Sequence, residues 1–221
     1  MNLKLALIAA GMALASSGAS AAVVTLSGAT VNFSFDNSFL SQANSKYNSW
    51  SLDADTLSFL PNDLFFADSE SKPAVFAQIP SIKIVAKSGY AIDGLSLEED
   101  GYYFQTENAK VSAYAGFTVN NVLNPISAVG LSQKDTLSEW AINSSVSLDS
   151  VQEANVKVLN LLTAAKLANA SPFDFAYIDK NLVSISAVTS SVVAPVPLPG
   201  AIWMFGSALA GFLVSRRSKQ A

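Results

Sequence analysis

The sequence predicts an all-β protein, a sandwich or jelly-roll-like ectodomain, with a hydrophobic segment at each end. Between residues 22 and 194, apolar and polar residues alternate with period two, as they do in half-buried strands. Turn-forming residues recur about every 8 to 12 positions, which is typical of sandwiches. We therefore expect one ectodomain over residues 22–194, between terminal segments 1–21 and 195–221.

The first 21 residues have the organisation of a secretory signal peptide. Lys4 supplies a positive charge before the apolar run 5–15, and small residues follow. Ala19-Ser20-Ala21 fits the small-x-small rule, so we expect a signal peptidase to cleave after Ala21, with Ala22 next in the chain. The alternative, a buried N-terminal helix, is disfavoured because the run and its flanks are those of a signal peptide.

Alternation and turn residues place the expected strands in chain order. Strands are expected near residues 23–26, 31–35, 57–59, 64–66, 75–78, 82–84, 95–97, 102–104, 110–114, 117–119, 129–131, 140–142, 146–148, 176–178 and 182–188. Breaks between them are expected at 61–63, 71–73, 80–81, 87–90, 92–95, 116 and 124–125, and the polar stretch 41–51 is expected to be a loop.

Residues 151–168 fit two patterns. Val151, Ala154, Val158 and Leu161 form a helical stripe, whereas Ala154, Val156 and Val158 alternate as in a strand. The β-branched residues and the neighbouring strands favour a strand.

The charge of residues 22–194 restricts function. All 17 acidic residues lie there against nine Lys and no Arg, a net charge of −8, and the whole chain has no His and no Cys. Catalysis by imidazole or thiolate, disulfides and zinc sites are therefore excluded. A domain this acidic is also a poor partner for nucleic acid or anionic lipid. We expect no cofactor.

The acidic residues suggest only weak candidates for chemistry. Asp53 and Asp55, and the run 98–101, have oxygen ligands suited to calcium, but neither follows the twelve-residue calcium-loop pattern. Solvated turn acids are the favoured interpretation, so we predict no metal site. Glycoside hydrolysis needs two carboxylates at a suitable separation, and among 17 acidic residues some pair will meet that requirement by chance. We therefore predict no catalytic residues.

Aromatic residues are the better indication of ligand binding, because flat rings stack on sugar faces. The alternative is ordinary core packing, which is the favoured interpretation. The candidate stacking residues are Tyr47, Trp50, Tyr102, Tyr103 and Trp140, with Tyr90 as a further position to inspect.

The C-terminal segment predicts a single transmembrane helix. Residues 201–214 carry no charge, and Arg216, Arg217 and Lys219 follow directly. A helix of that run reaches about 21 Å, against about 30 Å of hydrocarbon. Residues 198–200 and snorkelling basic side chains lengthen it. The basic end should face the cytoplasm, which leaves the ectodomain outside.

The same tail carries a resemblance. Val196, Pro197, Leu198, Pro199 and Gly200, followed by the apolar run and Arg216-Arg217, resemble the PEP-CTERM sorting domain. Leu198 stands where the family name implies Glu, in a Val-Pro-Leu-Pro form similar to a recurrent variant. Residues 86–90, 92–95 and 101–104 also look like a β-sandwich ectodomain found upstream of such tails.

The resemblance implies export and processing in a Gram-negative bacterium. An exosortase, a membrane enzyme, would recognise the tail while it holds the chain in the inner membrane facing the periplasm. Release to the cell surface or extracellular matrix would follow. We therefore expect a non-catalytic structural or interaction role linked to extracellular polysaccharide. The alternatives are a carbohydrate-binding module, a polysaccharide hydrolase or lyase, and a tail-anchored protein that is not processed.

Overall fold

A computed structural model describes residues 23–42, 44–128, 131–192 and 205. Over these residues the protein is nearly all β and forms two antiparallel sheets, which confirms the predicted all-β class and is consistent with a sandwich. The predicted cleavage residues Ala19, Ala21 and Ala22 lie outside the described residues. So do the motif at 196–200 and the basic residues at 216, 217 and 219.

The first sheet has six strands among the described residues. In spatial order they are β1 (Val23–Ser27), β2 (Val31–Asp36), β6 (Ala74–Ala86), β11 (Glu153–Lys166), β8 (Ala109–Val119) and β9 (Val122–Ser127). The second sheet has seven. These are β3 (Tyr47–Asp53), β4 (Thr56–Pro61), β13 (Leu182–Ser191), β7 (Tyr90–Gln105), β12 (Ala176–Asp179) and β5 (Phe66–Asp68), with β10 (Ser138–Val151) paired to β7. A short 3₁₀ helix, Asn37–Leu40, follows β2.

The core lies where the alternating apolar residues of both sheets meet. Burial follows period two along β8 and β11, so that every second side chain is enclosed. Large aromatic side chains supply much of its volume, and Phe35 and Phe59 meet edge to face at 5.4 Å. The fully buried aromatic side chains are Phe33, Phe35, Tyr47, Phe59, Phe65, Tyr103 and Phe117.

Residues 151–168 are mostly strand, as the β-branched pattern favoured. β11 covers Glu153–Lys166 and pairs with β6 on one side and β8 on the other. Because it is central, β11 places its buried residues against the second sheet, and Asn160 is one of them.

Several expected breaks were wrong, and each has a local reason. Pro80-Ser81 does not interrupt β6. The register against β11 shifts there instead, which marks a bulge that accommodates proline. Residues 92–95 lie inside β7, and Gly116 lies inside β8. Pro125 lies in β9, an edge strand, where a missing N–H is tolerated.

The polar stretch expected as a loop contains part of an edge strand. β3 begins at Tyr47 and pairs with β4, with a register shift between Tyr47 and Ser49. Polar residues suit it because much of an edge strand is exposed. Conversely, the strand expected at 129–131 is not seen at Leu131, which lies in a turn.

The chain divides into two units, Met1–Ser190 and Ser191–Ala221. The fold described above belongs to the first unit, apart from the last residue of β13. Across the part of the chain that the structure describes, we find no helix long and apolar enough to cross a membrane.

Candidate functional site

The outer face of the β7–β10 ladder carries a polar cleft. Strand alternation points Asp100 and Tyr102 of β7 outwards, beside Ala141 and Glu139 of β10, their direct cross-strand partners. The cleft has a volume of about 600 Å³. We call it the outer cleft, and its lining residues are Asp100, Gly101, Tyr102, Glu139, Trp140, Ala141, Asn143 and Asn181.

The outer cleft is acidic. Burial, and then the neighbouring carboxylates of Glu98 and Glu139, raise the pKa of Asp100 above its ordinary value. Beside the outer cleft, the Asp179 carboxylate accepts hydrogen bonds from the Tyr102 amide at 2.7 Å and the Tyr177 hydroxyl at 3.0 Å. Burial and this carboxylate raise the pKa of Tyr177 to about 12. The cleft therefore offers hydrogen-bond acceptors and one exposed ring.

The absence of a side chain at Gly101 allows Trp140 and the backbone of Asp179 to approach each other. A Cβ at Gly101 would lie 2.2 Å from the carbonyl oxygen of Asp179 and 2.8 Å from Trp140 Nε1. Without that Cβ, Trp140 Nε1 donates to the Asp179 carbonyl at 2.9 Å. This bond ties β10 to the end of β12 across β7.

The five predicted stacking residues are not equivalent in the fold. Tyr102 is 38% exposed and stands in the outer cleft, whereas Tyr47, Tyr103 and Trp140 are buried. Trp50 is half-buried and packs edge to face against Phe35 at 6.2 Å. Core packing therefore accounts for Tyr47, Tyr103 and Trp140, and Tyr102 is the most exposed of the five.

A second aromatic surface was missed by sequence reasoning. Phe66 and Tyr177 stack at 5.8 Å, and Lys72 Nζ lies 4.4 Å from the centroid of the Phe66 ring. These residues come from β5, β12 and the loop after β5, and no local pattern links them. A smaller cleft at this surface shares Asn181 with the outer cleft.

The candidate calcium ligands have other roles. Asp55 accepts hydrogen bonds from Thr30 N at 2.8 Å and Thr30 Oγ1 at 2.6 Å, so it anchors the β1–β2 turn. The run 98–101 lies within β7, not a turn, and alternation divides it between two faces, with Glu98 and Asp100 outside and Glu99 inside. Among the described residues, no group of three or more acidic side chains could hold a metal ion.

The inward carboxylate belongs to a buried polar cluster between the sheets. We call Tyr47, Glu99, Asn160 and Lys180 the buried cluster. Lys180 Nζ donates hydrogen bonds to Glu99 Oε2 and to Asn160 Oδ1, and Asn160 Nδ2 donates to Tyr47 Oη at 3.0 Å. Lys180 and Glu99 have no exposed side-chain surface. Sequence reasoning missed this cluster entirely.

Burial disfavours charge in this cluster. It lowers the pKa of Lys180 although Glu99 opposes the change, and it raises the pKa of Glu99 although Lys180 and Asn160 oppose that change. Two aromatic rings also lie next to the amine. Lys180 Nζ is 5.4 Å from the centroid of the Phe65 ring and 5.3 Å from that of the Trp140 ring. Burial therefore shifts both groups towards their uncharged forms, while their contact with each other opposes that shift.

Comparisons with known proteins identify no family. Neither a protein-family model nor a curated protein matches the chain. Among solved structures, the infectious bursal disease virus VP2 subviral particle matches with a TM-score of 0.40 and 9% identity, over 68% of this chain and 38% of that one. The Gt strain structure of the same virus matches at 0.36 and 11%, over 78% and 49%.

A carbohydrate-binding domain is also among the matches. The CBM22-2 xylan-binding domain from Paenibacillus barcinonensis Xyn10C has a TM-score of 0.26 and 12% identity, over 57% of this chain and 94% of that domain. The present chain spans less than half the length of the viral chains it matches. At these TM-scores the likenesses carry no argument about function.

Proposed function

We propose that the protein is an exported, non-catalytic structural component of the bacterial cell surface or extracellular matrix. The supporting observation is that several of the carboxylates, and the buried Lys180, hold the fold together. Asp55, Asp68 and Asp174 each accept hydrogen bonds from neighbouring turn residues, and Lys180 with Glu99 joins elements inside the core. A rigid sandwich of this kind suits a structural or interaction role.

Sorting through the tail is the second part of the proposal. The Val-Pro-Leu-Pro-Gly segment at 196–200, the uncharged run 201–214 and the basic residues after it support recognition by an exosortase. The apolar run holds the chain in the inner membrane, with the ectodomain in the periplasm. Processing then releases the ectodomain towards the cell surface and its polysaccharide.

Fractionation tests the sorting step. In a Gram-negative host without an exosortase, we expect the full chain in the membrane fraction, and a processed form only when an exosortase is co-expressed. Removing residues 201–221 together with Pro197→Ala and Pro199→Ala should give soluble periplasmic protein in both hosts. Pro195→Ala, just outside the motif, is the matched control and should behave as the unaltered chain does. A full chain with the same fractionation and mass in both hosts, or a truncated chain that stays in the membrane fraction, would rule out sorting through the tail.

The outer cleft supports a second candidate function, carbohydrate binding. Tyr102 offers an exposed ring, and Asp100, Glu139, Asn143 and Asn181 around it offer acceptors and amides for sugar hydroxyls. This combination of one platform and several polar groups is what a sugar face requires.

A glycan array followed by tryptophan-fluorescence titration tests this candidate, because Trp140 lines the same cleft. Tyr102→Ala should weaken binding of any glycan found by at least tenfold. Tyr114→Ala is the matched control, since Tyr114 is 44% exposed on β8 of the other sheet, and it should leave affinity unchanged. Equal affinities of the two variants and the unaltered protein would place any sugar site elsewhere.

A further inference from the structure

The buried cluster is an unusual way to stabilise a sandwich. A buried Lys–Glu pair loses the hydration of two charges, and apolar residues of similar volume often serve stability equally well. One acceptor is also left unsatisfied, because Glu99 Oε1 is buried and receives no hydrogen bond from any described residue. These features call for an explanation other than an ordinary ion pair.

The geometry places three reactive groups together. The Lys180 amine contacts the Asn160 carboxamide through Oδ1, which is bonded to the carbonyl carbon Cγ, and it contacts the Glu99 carboxyl at the same time. Asn160 Nδ2 is held by Tyr47 Oη, which fixes the amide with Oδ1 towards Lys180. Reacting groups held this closely in a buried site react far faster than free groups.

We propose that Lys180 and Asn160 become joined by an intramolecular isopeptide bond, with Glu99 as the proton-transfer group. The Lys180 amine is nucleophilic in its neutral form, which burial favours at this position. Glu99 in its protonated form can donate a hydrogen bond to the carboxamide oxygen as that oxygen gains charge.

The step balances without an added reagent. The Lys180 Nζ lone pair attacks Asn160 Cγ, and a new C–N bond forms. Glu99 relays one proton from Nζ to Nδ2, the Cγ–Nδ2 bond breaks, and Nδ2 leaves as ammonia. Glu99 ends protonated as it began, and nothing is oxidised or reduced. Tyr47 acts as a positioning residue that orients the amide.

The bond would join the two sheets covalently. Asn160 lies in β11 of the first sheet, and Lys180 lies between β12 and β13 of the second. Like a disulfide, such a cross-link would restrict the unfolded chain. It would give a protein without cysteine a covalent tie between its layers.

Tryptic peptide mapping of the purified full chain tests the proposal. Trypsin should cut after Lys157 and Lys166 but not after Lys180, whose amine is acylated. The expected product is a branched peptide joining residues 158–166 to the segment that begins at 167 and continues past 180. Its mass should be lower than that of its two parts by one ammonia. Separate peptides 158–166 and 167–180 from the unaltered protein would overturn the proposal.

Variants of the buried cluster test which side chains the bond requires. Asn160→Ala and Glu99→Ala should each abolish the branched peptide, whereas Lys83→Met should retain it, because Lys83 pairs with Glu153 at the surface. A branched peptide that persists in Glu99→Ala would overturn the role given to Glu99. The mapping of the unaltered protein decides whether the bond exists even where a variant fails to fold.

Discussion

At the scale of single residues, the face of the strand on which a residue lies determines the role of its side chain. Glu98, Glu99 and Asp100 are consecutive, yet two lie in or beside the outer cleft and one lies in the buried cluster. Tyr102 and Tyr103 divide in the same way. Alternation implies this division once β7 is known to be continuous. The sequence could not reveal the partner of Glu99, because Lys180 is 81 positions away.

The Asp174 carboxylate should make the stability of the protein depend on pH in the acid range. Its carboxylate accepts hydrogen bonds from Ser171 N at 2.6 Å and Thr106 Oγ1 at 2.8 Å, and these hold its pKa well below the ordinary value. Because the folded state has the lower pKa, the stabilisation is complete above about pH 4 and is lost as pH falls further.

Asp174→Asn should therefore lower the free energy of unfolding most at neutral pH, and the difference should shrink below about pH 4. Urea denaturation across the pH range measures it. The exposed Asp149→Asn is the matched control and should show little effect at any pH. A difference between Asp174→Asn and the unaltered protein that stays constant with pH would contradict this explanation.

At the scale of elements, hydrophobic alternation predicted most strands. Breaks predicted at proline and glycine were wrong where the strand tolerates these residues. Pro80 lies in a bulge and Pro125 in an edge strand, while Gly94 and Gly116 lie inside long strands. Which strand is at an edge depends on pairing between distant segments, so local sequence cannot supply it. The actual β8–β9 turn, Asn120-Asn121, was overlooked.

The β8–β9 turn supports a prediction of its own. Asn120 and Asn121 have φ of 48° and 67°, and Val119 pairs with Val122 on either side, as in a two-residue hairpin of type I′. Asn121→Val should cost about 1 kcal/mol, because β-branched residues adopt this backbone conformation poorly. Asn143→Val in strand β10 is the matched control and should cost less. If chemical denaturation shows that both variants lose the same free energy of unfolding, the turn conformation is unimportant.

At the scale of the whole molecule, composition and patterning predicted the fold class but not the strand order. The central pairs join segments far apart in the chain, as β6 with β11 and β7 with β10. The outer cleft itself was not predicted, although two of its lining residues, Tyr102 and Trp140, were candidates for ligand stacking. The buried cluster was not predicted, because Tyr47, Glu99, Asn160 and Lys180 come together only when both sheets are in place.

The proposal for the whole molecule joins a rigid sandwich to a sorting tail. In this proposal the acidic ectodomain lies outside the inner membrane, and the positive charges of the tail would stay on the cytoplasmic side. A core held by buried aromatic residues and by Lys180 would suit the proposed location outside the cell, where a protein without cysteine has no disulfides to stabilise it. Export followed by processing of the tail is therefore the main feature of the proposal.

Mass spectrometry of the protein recovered outside the inner membrane of an exosortase-containing cell tests that claim most directly. We expect a chain that starts near Ala22 and ends near residues 197–199, without residues 201–221. Loss of the exosortase should leave the full C-terminus on protein held in the membrane fraction. An extracellular chain that retains residues 201–221, or identical masses with and without the exosortase, would contradict the account.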